Sequence, residues 1–127
     1  MKTQRLLLDT HALFWLDNDL SQFSQETLRL LYDTEDIYFS SASAWELSIK
    51  QSIGKIKLIR SISECARLNG FIELPVTTAY AEVAVALPLH HKDPFDRMIV
   101  AQAIHERLTL VTADRRLANY SVSILQV

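Results

Sequence analysis

Four acidic side chains stand where they can act together: Asp9, Glu46, Asp96 and Asp114. Asp9 and Asp114 follow short apolar runs of the kind that form buried strands, Glu46 lies one turn into the helix behind another, and Asp96 opens the helix from Pro94. Carboxylates gathered in one place repel each other and raise one another's pKa unless a cation sits among them. Oxygen-only donors of this type suit Mg²⁺ or Mn²⁺, hard ions that keep waters for a substrate phosphate to replace. Such a centre activates water and neutralises charge developing on a phosphodiester, which is nuclease chemistry.

Each acid also has an ordinary structural explanation. Ser43-Ala44-Trp45-Glu46 matches a capping box at a helix start. Asp93-Pro94-Phe95-Asp96 reads as an N-cap, proline at the first helical position and an acid in the first turn. Asp114 is placed to cap a short helix beginning at Arg115. Asp9 is the hardest to explain this way, because it ends an apolar strand where an unpaired carboxylate is costly.

The elements that must position these residues alternate in type. Strands are expected at residues 5–8, 37–39, 71–76 (interrupted by Pro75), 108–112 and 122–126. Helices are expected from Thr10, over 25–33, over 43–53 with a stop at Gly54, over 61–69 ending at Gly70, and over 78–87, 94–107 and 115–119. Strands alternating with helices through short connections predict one α/β domain over residues 1–127. The expected architecture is a three-layer α/β/α arrangement around a central, mostly parallel sheet. Ligands of such sheets bind beyond the carboxyl ends of the strands, where the acids fall.

Composition narrows the function classes. The chain has 127 residues, of which 49% are hydrophobic, a formal net charge of −2, and two glycines. Two glycines exclude a glycine-rich phosphate loop. The weakly acidic total argues against non-specific coating of nucleic acid, although without the four acids the remainder carries 11 acids against 13 bases. A single cysteine, Cys65, forms no intrachain disulfide, which suits a reducing compartment. The start Met1-Lys2-Thr3-Gln4-Arg5 is basic, but Leu6-Leu7-Leu8 is too short for a signal peptide, and no run reaches a membrane span. A cytoplasmic protein is expected.

The ordered set Leu6-Leu7-Leu8-Asp9-Thr10-His11, Ser43-Ala44-Trp45-Glu46-Leu47, His91-Lys92-Asp93-Pro94-Phe95-Asp96-Arg97-Met98-Ile99-Val100-Ala101-Gln102-Ala103 and Leu110-Val111-Thr112-Ala113-Asp114 resembles the PIN-domain family. The D-P-F-D-R block resembles the VapC-like toxins of type II toxin–antitoxin modules, and the likeness spans essentially the whole chain. The resemblance implies a PIN-like fold and a Mg²⁺- or Mn²⁺-dependent endoribonuclease. It implies Asp9 and Asp96 as principal metal ligands, Glu46 completing the site, and Asp114 ligating through water or a second metal. It further implies Thr112 as a supporting donor, an RNA substrate, a small antitoxin partner and a homodimer.

The remaining polar and aromatic residues are read from type and position. Arg97 either binds phosphate or pairs with a carboxylate. His90 and His91 read as solvated loop residues, since no third nitrogen or sulfur ligand stands at metal spacing. His11 is expected on a helix surface as readily as against substrate. Lys50, Lys55, Lys57 and Arg60 form either an RNA backbone track or a solvated face. Trp15, Trp45, Phe14 and Phe39 are expected in the core or an interface. The alternative from another class is a PIN-like RNA- or protein-binding module that does not cut. A haloacid-dehalogenase-type phosphatase is disfavoured because the second Asp expected after Asp9-Thr10 is missing. A phospho-receiver is disfavoured by Ala113-Asp114, where it would carry a lysine.

Overall fold

The computed structural model describes residues 4–127; Met1–Thr3, which open the basic N-terminal stretch, lie outside the described residues. Five strands form one sheet: β1 (Arg5–Leu8), β2 (Asp36–Ser40), β3 (Ile72–Leu74), β4 (Thr109–Thr112) and β5 (Ile124–Gln126). Their order is β3-β2-β1-β4-β5, and every neighbouring pair is parallel. The expectation of a mostly parallel sheet is therefore exceeded. Six α-helices connect the strands: α1 (Thr10–Asn18), α2 (Gln25–Asp33), α3 (Ser41–Ser52), α4 (Ile62–Asn69), α5 (Thr78–Ala86) and α6 (Pro94–Glu106). The segment Arg115–Asn119 is a 3₁₀ turn rather than an α-helix.

Alternation along the central strand creates the two cores. Successive strand side chains point to opposite faces, so Leu6 and Leu8 enter one cluster and Leu7 the other. The first cluster joins Leu13 of α1, Leu28 and Leu31 of α2, Leu47 of α3 and Ala66 of α4. The second joins Ile99, Val100 and Ala103 of α6 to Leu108 and Leu110. All three leucines of β1 are fully buried, as expected of a central parallel strand covered on both faces.

Two boundaries differ from expectation for identifiable reasons. β3 is only three residues long because Pro75 has no N–H to continue the ladder. α3 begins at Ser41, directly after β2, and its cap is Ser40, whose side chain accepts from the Ala42 amide. The capping box at Ser43 is thus not formed. Ser43 is buried within the helix, and its Oγ accepts a hydrogen bond at 3.0 Å from Thr10 Oγ1. That bond ties α3 to the start of α1, both of which carry acids of the candidate site. Gly70 ends α4 as anticipated, at φ +69°, where a side chain would be strained.

Candidate active site

β1 lies at the centre of the order, with the chain proceeding outward to one side through β2 and β3 and to the other through β4 and β5. The carboxyl ends of β1 and β4 therefore flank the crevice where such sheets take ligands. Asp9 follows β1, Asp114 follows β4, and α3 and α6 bring Glu46 and Asp96. Asp96 feels the charges of Asp9, Glu46, Asp93 and His91. Asp9 in turn feels Asp114. The four expected acids thus occupy one end of the sheet.

Asp9 is almost wholly buried and is also the N-cap of α1: Oδ1 accepts from the Ala12 amide at 2.8 Å. The acid that sequence explains least readily as a cap is therefore a cap as well. Its other oxygen accepts from Thr112 Oγ1 at 2.6 Å, and that hydroxyl accepts in turn from the Asp114 amide at 3.0 Å. Thr112 therefore joins the ends of the two central strands. Burial, despite these donors, pushes the Asp9 carboxyl above the usual carboxylate range.

Asp96 sits in the first turn of α6. Asp93 caps that helix, accepting from the amides of Phe95 and Asp96, with Pro94 at the first position. Burial, then the neighbouring Asp93 charge, pushes Asp96 up to about 6. Asp114 differs: its carboxyl is held down at about 2, chiefly by the Arg116 side chain.

His91 is the residue that sequence reasoning missed. Expected in solvent, it is buried, with Nε2 3.1 Å from Asp114 Oδ2 and 3.2 Å from Asp96 Oδ2. The backbone amide of Asp93 donates to its Nδ1 at 3.1 Å. An acceptor at Nδ1 leaves the ring proton on Nε2, aimed between two carboxylates. His91, Asp96 and Asp114 form a metal-sized group, their ligand atoms lying within 4.8 Å of one another. In this tautomer, however, His91 donates to the acids rather than offering a lone pair. Its sequence signals are its place two residues before the capping Asp93 and at the head of the block that carries the family resemblance.

Arg97 fulfils neither of its expected roles. Its guanidinium donates to the carbonyls of Ala84, Leu87, Pro88 and His91, closing the C-terminus of α5 and fixing the loop that carries His91. Exposed helix-end carbonyls attract a cation here more directly than any carboxylate does. His90 packs edge-on to Tyr120, and His11 lies beside Trp15 on the surface of α1. Within the basic stretch, Lys50 pairs with Glu46 at 3.1 Å and Arg60 with Asp17 at 3.3 Å. Trp45, expected in the core or an interface, is 65% exposed and so lies outside the core. It meets Phe95 edge-to-face over an apolar cavity of about 630 Å³ that also touches Val76 and Met98.

The donor set fits a hard divalent cation. Lys50 meets Glu46 through Oε2 alone, and Oε1 is buried without a hydrogen-bond partner, which costs free energy unless a donor or cation meets that oxygen too. Asp9 and Asp96 are held partly in a low-polarity setting with their carboxyls shifted up. All four acids offer oxygen, and no thiolate stands among them.

The chain is similar to known proteins in sequence and in fold. The PIN domain family model matches residues 6–122. Ribonuclease VapC22 of Mycobacterium tuberculosis is 29% identical, with 91% of each chain covered. Among solved structures, the fold is similar to a chain of VapBC2 from Rickettsia felis bound to a promoter DNA fragment, with TM-score 0.72, 17% identity, and 97% and 98% of the two chains covered. It is also similar to a chain of DNA-bound VapBC from Salmonella typhimurium, with TM-score 0.67, 18% identity and 98% of each chain covered. Among the described residues, no helix is long and apolar enough to cross a membrane.

Proposed function

Given that the chain belongs to the PIN-domain family, we propose that it is a Mg²⁺- or Mn²⁺-dependent endoribonuclease, the toxin of a type II toxin–antitoxin module. Its substrate in this reading is RNA, and its partner is a small antitoxin. The observation that carries the reading is the convergence of Asp9, Glu46, Asp96 and Asp114 on one end of the sheet, with Glu46 Oε1 buried and unpartnered. The relative named as a ribonuclease and the structural likeness to toxin–antitoxin complexes support the same reading.

When bound, such a cation would supply an activated water and neutralise charge on the phosphodiester. Asp9 and Asp96 are the principal ligands in this reading, with Glu46 and Asp114 completing the set. Thr112 holds Asp9 at a fixed angle through its 2.6 Å hydrogen bond, which leaves the carboxylate little freedom to swing away. His91 keeps Asp96 and Asp114 together through a single proton. The desolvated setting of Asp9 and Asp96 strengthens their attraction for any positive charge. A homodimer is part of the proposal, with the exposed Trp45 and its apolar surroundings as accessible surface.

The test is cleavage of defined RNAs by wild-type protein with Mg²⁺, with Mn²⁺ and with EDTA. Cleavage is expected only with metal. Asp9→Asn should lower the rate by more than about a hundredfold, beyond the range usual for residues that merely support metal ligands. The amide oxygen of asparagine can still cap α1, so thermal unfolding should be retained. Metal-independent cutting, or a wild-type rate in the variant, would overturn the assignment. RNA binding without cleavage under all conditions would favour the non-cleaving module.

A further inference from the structure

We propose that Arg116 is an exchangeable counter-ion: it occupies Asp114 in the metal-free protein, is displaced from that carboxylate by the metal, and then contacts the RNA backbone. The inference rests on the nuclease reading above and goes beyond it by assigning a residue outside the acidic set.

Four donors saturate the Asp114 carboxylate. Oδ1 accepts from the Arg116 backbone amide at 3.0 Å and from Arg116 Nε at 3.1 Å. Oδ2 accepts from Arg116 Nη2 at 2.9 Å and faces His91 Nε2 at 3.1 Å. A carboxylate so occupied has no free direction for a cation, so one donor must leave for Asp114 to serve a metal. The backbone amide is fixed by the cap of the 3₁₀ turn. His91 is buried and held from behind by the Asp93 amide. Only the Arg116 side chain, 66% exposed, can leave without breaking anything else.

The guanidinium also has a destination. Arg116 feels Asp96 and Asp93 as well as Asp114, which places it at the rim of the acid cluster. Released there, it is a planar, permanently charged fork suited to phosphate oxygens. A site of four acids is hostile to a polyanion until it is neutralised. An arginine that turns outward as the metal enters would make metal loading and RNA binding mutually reinforcing.

Arg116→Gln separates the two halves of the exchange, because its effects have opposite signs. Calorimetric titration with Mn²⁺ should show binding about two- to fivefold tighter than wild type, since an exposed pair competes only modestly. Binding of a labelled single-stranded RNA, with Ca²⁺ in place of Mg²⁺, should be several-fold weaker. The logarithmic salt slope should fall by about 0.7, the loss of one phosphate contact. In EDTA the variant should bind RNA no worse than wild type, and Arg116→Lys should restore part of the Ca²⁺-dependent binding. Equal or weaker Mn²⁺ affinity in Arg116→Gln would overturn the exchange, as would an RNA defect equally large in EDTA. If wild type binds Mn²⁺ and cuts RNA while Arg116→Gln matches it throughout, this inference alone fails. If wild type binds no Mn²⁺, the nuclease reading fails with it.

Discussion

The two sides of the acidic crevice are built on opposite electrostatic terms. On one side, Asp9, Glu46 and Asp96 are buried to different extents, and burial pushes Asp9 and Asp96 upward. On the other, Asp114 lies at the surface end of β4 and is held at about 2 by Arg116. His91 bridges the two with one ring nitrogen. The contrast teaches where a cation is needed. Arg116 answers Asp114 and Lys50 answers one oxygen of Glu46, whereas among the described residues Asp9 is met only by a hydroxyl and an amide and Asp96 only by His91. Free energy is stored at Asp9 and Asp96 and is released by whatever neutralises them.

The bridge is the place to break this contrast most severely. His91→Ala removes the donor shared by Asp96 and Asp114 and should weaken Mn²⁺ binding by about 10- to 100-fold, the range for groups that orient metal ligands. Calorimetric titration checks it. An affinity within twofold of wild type would mean that the two sides are positioned independently.

Proton titration sharpens the contrast next. Asp96 is raised to about 6, so between the unfolded value near 3.9 and about 6 the native state binds the extra proton. Stability of the metal-free protein should therefore fall as pH rises through that window, by on the order of 2 kcal/mol from this group. Asp114 has the opposite sign: its contribution is present above about 3.9 and is lost as pH falls towards 2. Thermal melts in EDTA from pH 4.5 to 7.5 test the first statement. Asp96→Asn should remove that part of the slope and melt a few degrees higher than wild type at pH 7. A variant with the wild-type slope would show that Asp96 is not the stored charge.

The smallest expected effect is at the hinge between the strand ends. Thr112→Val preserves shape but leaves Asp9 Oδ2 without its donor and the Asp114 amide without its acceptor. Unfolding free energy should drop by about 1–2 kcal/mol. Asp9 should also become harder to ionise, which weakens metal binding at pH 6 more than at pH 8. A loss of stability with no pH-dependent change in metal affinity would make Thr112 a strand tie only.

Much of this arrangement is legible in the amino-acid sequence. The leucines of β1, the alternation of strands and helices, and the acids following strands each express a local rule, and all point to one topology. Asp93 and Pro94 announced the start of α6 in the same way. What stayed hidden depends on contacts between distant segments. The burial of His91 depends on Asp96, Asp114 and the loop fixed by Arg97, none of which spacing reveals. Ser43 satisfied a capping pattern that Ser40 fulfils instead, because β2 passes into α3 without a loop. Spacing offers Arg97 a phosphate or a carboxylate, while the carbonyls at the end of α5 hold it. Residue type leaves Trp45 to the core or to an interface, and the outward face of α3 that carries it excludes the core.

The placement of β1 at the centre of the sheet has a consequence for synthesis. Asp9 is made about a hundred residues before its partner Thr112 and the strand that pairs with β1 through Leu8 and Val111. Non-local pairings of this kind form only after the intervening chain is available. A nascent chain lacking β4 has neither Thr112 nor Asp114 to complete the crevice. A chain with this order of strands completes its acidic crevice only after β4 has been made and has paired with β1.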